Sequence, residues 1–426
     1  MPDMLRDYPC RYDLANELHA RPFPSLPTGS EAAFLAIKRE HDAANRDRAA
    51  DRAHLLALLD RFGADHPKPD ATHFFGQMGR YRLKWESHTE FVTYTLFSDS
   101  LSPLPFDGNL FAAFPADWLA AAPGLRLTSA LIRVEPECDD MDAKMSKWFV
   151  PESLAAATVL DGCATIAGDF RIDASGHMRF ALFTAPGTGE RRIGRIAQRL
   201  CEIETYKTMS MLALPRAHDL SARLGKMDTQ LSALVGALRQ TDSDADATLE
   251  DLLAIGSELE TMLALSAFRF GAREAYAALV AQRIAILRED RTGGRQTFAE
   301  FMMRRFDPAM RTCQSVERRM EALAERARRA GDLLSTRVNV ERATQNGRLL
   351  RSMDDRAAMQ LRLQKTVEGL SVVAIGYYAV NLVTYIAYPF GSAIGLTKEM
   401  ISAMAVVPVV LLVWWVIRRI RAHAED

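Results

Sequence analysis

Thr366–Tyr388 reads TVEGLSVVAIGYYAVNLVTYIAY, with Glu368 near its start as the only charged residue. At ~1.5 Å of rise per residue, these roughly 23 residues make ~35 Å of helix, enough to cross a ~30 Å hydrocarbon layer. A break is expected at Pro389-Phe390-Gly391-Ser392, and a second apolar run, Ile401–Ile417, completes a hairpin. That run is about 17 residues long and contains Pro408, a marginal span alone but a convincing one beside its neighbour. Arg356, Arg362 and Lys365 precede the first span, and Arg418, Arg419 and Arg421 follow the second. The connecting loop offers only Lys398 beside Glu399. The positive-inside rule then leaves both ends in the cytoplasm and the loop outside. A buried soluble hairpin is the competing reading, and both the length and the basic flanks speak against it.

The rest of the composition narrows the function by exclusion. With 426 residues there is room for soluble domains besides the hairpin, and a net charge of −1 gives no bulk case for nucleic-acid binding. Cys10, Cys138, Cys163, Cys201 and Cys313 include no close pair, so neither a zinc knuckle nor a redox pair is expected, and a reducing compartment suits them. The first residues, MPDMLRDYPCRYDL, hold no apolar run of the kind a secretory signal needs.

Along the chain, residues 1–30 form a proline-studded arm expected to lie extended over the first domain. Residues 31–189 read as an α+β domain. Ser30 resembles an N-cap for a helix carrying Phe34, Ile37, Leu55, Leu58, Leu59 and Phe62, with the charged stretch Arg39–Arg52 as its solvated face. Gly79–Trp85 and Phe91–Phe97 read as a hairpin, Leu125–Glu135 as a strand, and Cys163–Ile172 with His177–Thr184 as a second hairpin around Asp173-Ala174-Ser175-Gly176. Asn109–Ala122 and Pro151–Ala157 read as short helices. Residues 190–296 are helical, with a stop or kink at Pro215 and a break at Gly293-Gly294. Residues 297–365 form a long stalk helix, with Pro308 its one strong interruption. Its seam, Val316, Met320, Leu323, Ala327, Ala330, Leu334 and Val338, has coiled-coil spacing and continues in phase through Asn346, Leu350, Met353, Ala357 and Leu361. Arg311–Lys365 alone is ~80 Å of helix, running without a break signal into the first span. Residues 366–388, 389–400, 401–417 and 418–426 are then the first span, outer loop, second span and basic tail.

Four stretches carry a resemblance over most of the chain: NELHARPF at Asn16–Phe23, KWESHTEF at Lys84–Phe91, AGDFRI at Ala167–Ile172 and LRLQKTVEGLSVVAIGYY at Leu361–Tyr378. Together they resemble the bacterial membrane-anchored family labelled domain of unknown function 3422, which implies anchoring in the inner membrane. The tail alone is similar to CorA-type magnesium channels: a long helix, Asn-bearing before the membrane (Asn339, Asn346), then two spans and a basic end. That resemblance implies a CorA-like architecture, with a stalk continuing into the first span, fivefold assembly and a divalent cation as cargo. The family's Gly-Met-Asn signature is replaced here by Tyr388-Pro389-Phe390-Gly391.

Three constellations are candidate sites. Tyr377, Asn381, Thr384 and Tyr388 share one face of the first span and either line a pore or bond neighbouring helices. Glu17, His19 and Arg21 on the arm, with His88 and Glu90 on the first hairpin, either hold a ligand or metal ion or lock arm to sheet through pairs such as Arg21 with Glu90. Pro186–Gly194 lies where phosphate loops occur, but its glycine spacing fits a plain turn and helix start. No nucleophile elbow, zinc-protease helix or cysteine–histidine signature is present, and no cofactor is specified. The expectation is a non-enzymatic, homo-oligomeric membrane protein, pentameric by resemblance, a divergent cation channel or transporter. A membrane-tethered sensor or enzyme with its site at the arm and hairpin is the alternative.

Overall fold

The computed structural model describes residues 6–12, 14–15, 23–237, 245–392 and 394–424. The chain divides into two compact units, residues 1–241 with 250–330, and residues 242–249 with 331–426.

The first unit is α+β and is built on nine strands: β1 (Ser30–Lys38), β2 (His73–Met78), β3 (Tyr81–Ser87), β4 (Phe91–Ser98), β5 (Leu125–Pro136), β6 (Ala155–Val159), β7 (Ala164–Gly168), β8 (Met178–Thr184) and β9 (Asp290–Arg291). They form one sheet in the order β2-β3-β4-β1-β5-β8-β7-β6-β9. All strand neighbours run antiparallel except β5 and β8, which are parallel. The expected hairpins are present as β3–β4 and β7–β8.

The helix expected from Ser30 is instead β1, near the middle of the sheet. SEAAFLAIK follows Gly29 at φ +84 and is buried on both faces, so its apolar run reads like helix although both sides are covered. Ala32, Phe34 and Ala36 serve one core while Ala33, Leu35 and Ile37 serve the other. The helix begins later, as α1 (Arg48–Arg61), where the Asp47 carboxylate accepts the Ala49 N–H at 2.9 Å. The stretch read as a solvated face also holds a buried ion pair, Arg46 Nε to Asp51 at 2.6 Å. Pro151–Ala157 is likewise a turn leading into β6, whose Ala155, Ala156 and Ala157 are fully buried.

Helices cover both sheet faces. α1, with α2 (Ala116–Ala120), packs Leu55, Leu58, Leu59 and Trp118 against Leu35, Leu83, Tyr94 and Leu96. α3 (Met141–Trp148) covers β6–β8 on that side through Met145. On the other side lie α4 (Glu190–Met211), the end of α6 (Ala245–Leu287) and the start of α7 (Phe298–Ser392). α5 (Ala213–Ala237) follows α4, with Pro215 in its first turn, where a missing N–H costs nothing. α4 and the end of α6 therefore share their core with the strands. Thr297 and Glu300 close a reciprocal capping box at 3.1 Å each way, and Glu289 accepts the Phe298 and Ala299 N–H groups, fixing where α7 starts.

The seam residues Val316, Met320, Leu323, Ala327 and Ala330 are buried within this single chain, as are Leu334 and Val338 in the second unit. The seam thus needs no second copy to cover it. Its continuation differs: Leu350, Met353 and Leu361 are exposed. α7 continues through Pro308, and through Pro389 to Ser392, so the break expected at Pro389 falls later. α8 (Lys398–Ala424) returns with Pro408 inside it. Both helices contain stretches long and apolar enough to cross a membrane. Gly376 and Gly391 of α7 lie against Val410 and Ile401 of α8, the small-residue contact that lets helices in lipid approach closely.

Candidate ligand-binding site

In β4 the residues alternate cleanly. Val92, Tyr94 and Leu96 face the core under α1, which turns Phe91, Thr93, Thr95 and Phe97 toward α4. Register extends this pattern sideways: Lys84 and Phe34 flank Thr95, and Glu86 and Ala36 flank Thr93. Short side chains here meet short ones on α4, namely Ala197, Cys201 and Thr205. Sheet and helix therefore leave a hollow of about 320 Å³, bordered by Phe23, Phe34, Phe91, Phe97 and Tyr206.

The polar groups in the hollow are paired but not saturated. Lys84 is only 4% exposed, donates to Gln198 Oε1 at 2.8 Å and pairs with Glu86 at 3.2 Å. An ammonium has three donors, more than these two partners use. Glu202 accepts from Gln198 at 2.8 Å and from Arg199 at 3.2 Å, and pairs with Arg283 of α6. Burial pushes the Cys201 thiol up, keeping it protonated.

Two structures hold the walls. Arg46 gathers the β3–β4 turn, donating to the carbonyls of His88 (2.6 Å), Thr89 and Phe91 (3.2 Å) while its Nε meets Asp51. On the opposite wall runs the irregular segment Phe23–Gly29, whereas earlier in the arm, expected to lie extended, Arg11, Tyr12, Leu14 and Ala15 are helical. Leu26 N–H donates to Glu190 C=O at 3.1 Å, Ser25 Oγ donates to the Glu190 carboxylate at 2.7 Å, and Arg82 donates to Ser25 C=O at 2.7 Å. Phe23 lies under the Arg199 guanidinium at 5.5 Å.

Of the expected arm–hairpin cluster, Glu17, His19 and Arg21 lie outside the described residues. His88 borders the hollow, its ring stacked on Phe91 at 4.4 Å. Glu90 does not join it: the carboxylate is buried against α6, paired with Arg269 and accepting from Tyr276 at 3.2 Å. Among the described residues no group of three or more His, Cys, Asp or Glu is placed to hold a metal ion. At Pro186–Gly194, Gly187 turns at φ +82 and α4 starts at Glu190.

In the hairpin, Thr384 is 3% exposed and donates back to Val380 C=O at 2.8 Å, on the α7 face that carries Gly376 and Gly391. Asn381 is half-buried, and Tyr377 and Tyr388 are exposed. Arg418 and Arg419 stack on Trp414 and Trp415 at 5.1 and 5.2 Å, the pairing of aromatic and cation found at membrane interfaces.

The sequence pointed to His88 and missed Lys84, Thr93, Thr95, Gln198 and Glu202. The available signal was a lysine and a glutamate two apart in an aromatic strand, with threonines recurring at period two in its neighbour.

Fold and site define a class: an α+β unit with a ligand-sized hollow, continued by two apolar helices fit to span a membrane. The chain belongs to the family described as protein of unknown function (DUF3422), which matches residues 6–424. No curated protein and no solved structure matches it. Two stretches carrying the family resemblance, Asn16–Phe23 and Lys84–Phe91, supply Phe23, Lys84, Glu86, His88 and Phe91 to the hollow.

Proposed function

We propose that the chain is a membrane-anchored ligand-binding protein whose α+β unit, on the cytoplasmic side of a bacterial inner membrane, senses a small molecule. The observation that carries this reading is Lys84, a nearly buried ammonium with a spare donor, facing an aromatic-walled hollow of about 320 Å³. The occupant would have an apolar body for Phe34, Phe91 and Phe97 and an acceptor for Lys84. The reading is of binding rather than catalysis, with Cys201 held as a thiol.

Native mass spectrometry of the purified full chain tests it, together with thermal shifts against a panel of aromatic and aliphatic carboxylates. A bound small molecule, lost in Lys84→Met and in the hollow-filling Thr95→Phe, is expected. No bound mass and no stabilisation across the panel would leave the unit a scaffold. A carboxy-terminal reporter that fluoresces only in the cytoplasm tests the orientation.

A second reading, a CorA-like homo-oligomer that conducts a divalent cation, is favoured by the exposed Leu350, Met353 and Leu361, which extend the buried seam in phase. Monomers alone in mild detergent would reject the assembly. Cation flux into liposomes that is lost in Asn381→Leu would support conduction, and no flux above empty liposomes would leave the hairpin an anchor.

A further inference from the structure

A second cavity, of about 590 Å³, opens on the same side of the sheet, between the start of β5, the β7–β8 turn, the end of α4 and the start of α7. Its walls divide by chemistry. Phe170, Met178, Met302 and Phe306 make an apolar floor, and Arg126, Lys207 and Arg305 stand around it. The one carboxylate, Glu204, is fully buried and already satisfied: it accepts from Thr128 at 2.9 Å, Thr208 at 3.0 Å and Lys207 at 2.7 Å. The side chains of Arg126 and Arg305 make no hydrogen bond or ion pair among the described residues, and both residues are exposed. The cavity thus carries two uncommitted guanidinium groups over an apolar, methionine-lined floor.

We propose that this cavity binds an amphipathic anion, an aliphatic chain ending in a carboxylate or phosphate. The guanidinium fork suits such a head group in a way a neutral or cationic one cannot match. An inorganic anion would leave the floor wet, whereas an alkyl chain removes it from water, and methionine adapts to its shape. Arg126 lies over Gly176 in the β7–β8 turn, where a β-carbon would stand 3.2 Å from the guanidinium, so glycine there leaves the cation room at the rim. The AGDFRI stretch contributes Phe170 to the floor and the exposed Ile172 to the rim.

The test uses the full chain in nanodiscs of zwitterionic lipid, titrated calorimetrically with octanoate, octylammonium and inorganic phosphate, with empty discs subtracted. Saturable octanoate binding is expected, weakened about tenfold or more in the Arg126→Gln/Arg305→Gln double variant, with little binding of octylammonium or phosphate. Both arginines are exposed, and an unchanged melting temperature in the variant confirms that the fold is intact. Equal binding of octylammonium, equal binding by the double variant, or phosphate binding as tightly as octanoate would each overturn the proposal. Repeating the titration with an acidic phospholipid in the disc names the source. Octanoate uptake suppressed by the lipid identifies a bilayer head group, and unchanged uptake identifies a free amphiphile, both upholding the site.

Discussion

The carbonyl oxygen of Pro24 occupies the place where a β-carbon on Gly194 would stand. Ser25 and Leu26 are both bonded to Glu190, which holds the Pro24–Ser25 peptide against α4, so moving the carbonyl aside disturbs those bonds. Gly194→Ala should cost about 1–3 kcal/mol despite alanine's better helix propensity. Thermal unfolding of the full chain, with limited proteolysis between Phe23 and Gly29, checks it. An unchanged melting point and an uncut segment would contradict the packing described.

Gly391 offers the contrasting case. A β-carbon there meets the tip of the Ile401 side chain, which can rotate. The displaced rotamer costs about 0.5–1.5 kcal/mol and the gain in helix propensity roughly offsets it. Gly391→Ala should leave the melting temperature of the full chain nearly unchanged, and a large loss would mean that the hairpin contact is tighter than the side-chain tip implies.

Arg46→Met removes the cation from a buried carboxylate and leaves three turn carbonyls without their donor. A loss of about 3–5 kcal/mol is expected, as for one partner taken from a buried pair. Pairing it with Asp51→Leu should recover part of that loss, which a thermal double-mutant cycle measures. Strict additivity would show that the two residues act separately.

Stability should fall on mild acidification. Burial holds the His54 imidazole below its ordinary value, between Tyr94 Oη and Trp118 C=O at 3.0 Å each. Burial and then the nearby Arg126 do the same at His177. A depressed imidazole value means that the unfolded chain takes up a proton first, so this stability is complete above about pH 6.5 and is lost as pH falls below it. Melting temperatures at about pH 7.5 and about pH 5.5 should differ less in His54→Gln than in the wild type. Equal differences would remove His54 from the pH response.

The parts legible in the sequence were those whose environment is one-sided. The β3–β4 hairpin alternates because one of its faces is core and the other meets the hollow, and the hairpin helices read clearly because lipid-length apolar runs have few other uses. β1 and β6 were misread because strands buried on both faces lose the period-two signal, leaving alanine-rich runs that look helical. The hollow was hard to foresee because it arises between layers. Lys84 and Gln198 are 114 residues apart, and no local pattern joins them.

The strap from Phe23 to Gly29 gives the hollow a clock. Leu26 is fully buried, and the strap is tied at separate points, through Ser25 and Leu26 to Glu190, Arg82 to the Ser25 carbonyl and Gly29 to Val134, while the sheet beneath is held by continuous ladders. A segment held by a few separate ties opens locally at less cost than unfolding the whole domain. The Leu26 amide should therefore exchange its hydrogen well before those of β1 and β4. The residence time of an occupant would follow that local opening, so ligand departure would be timed by a few side chains at one wall and remain independent of global stability.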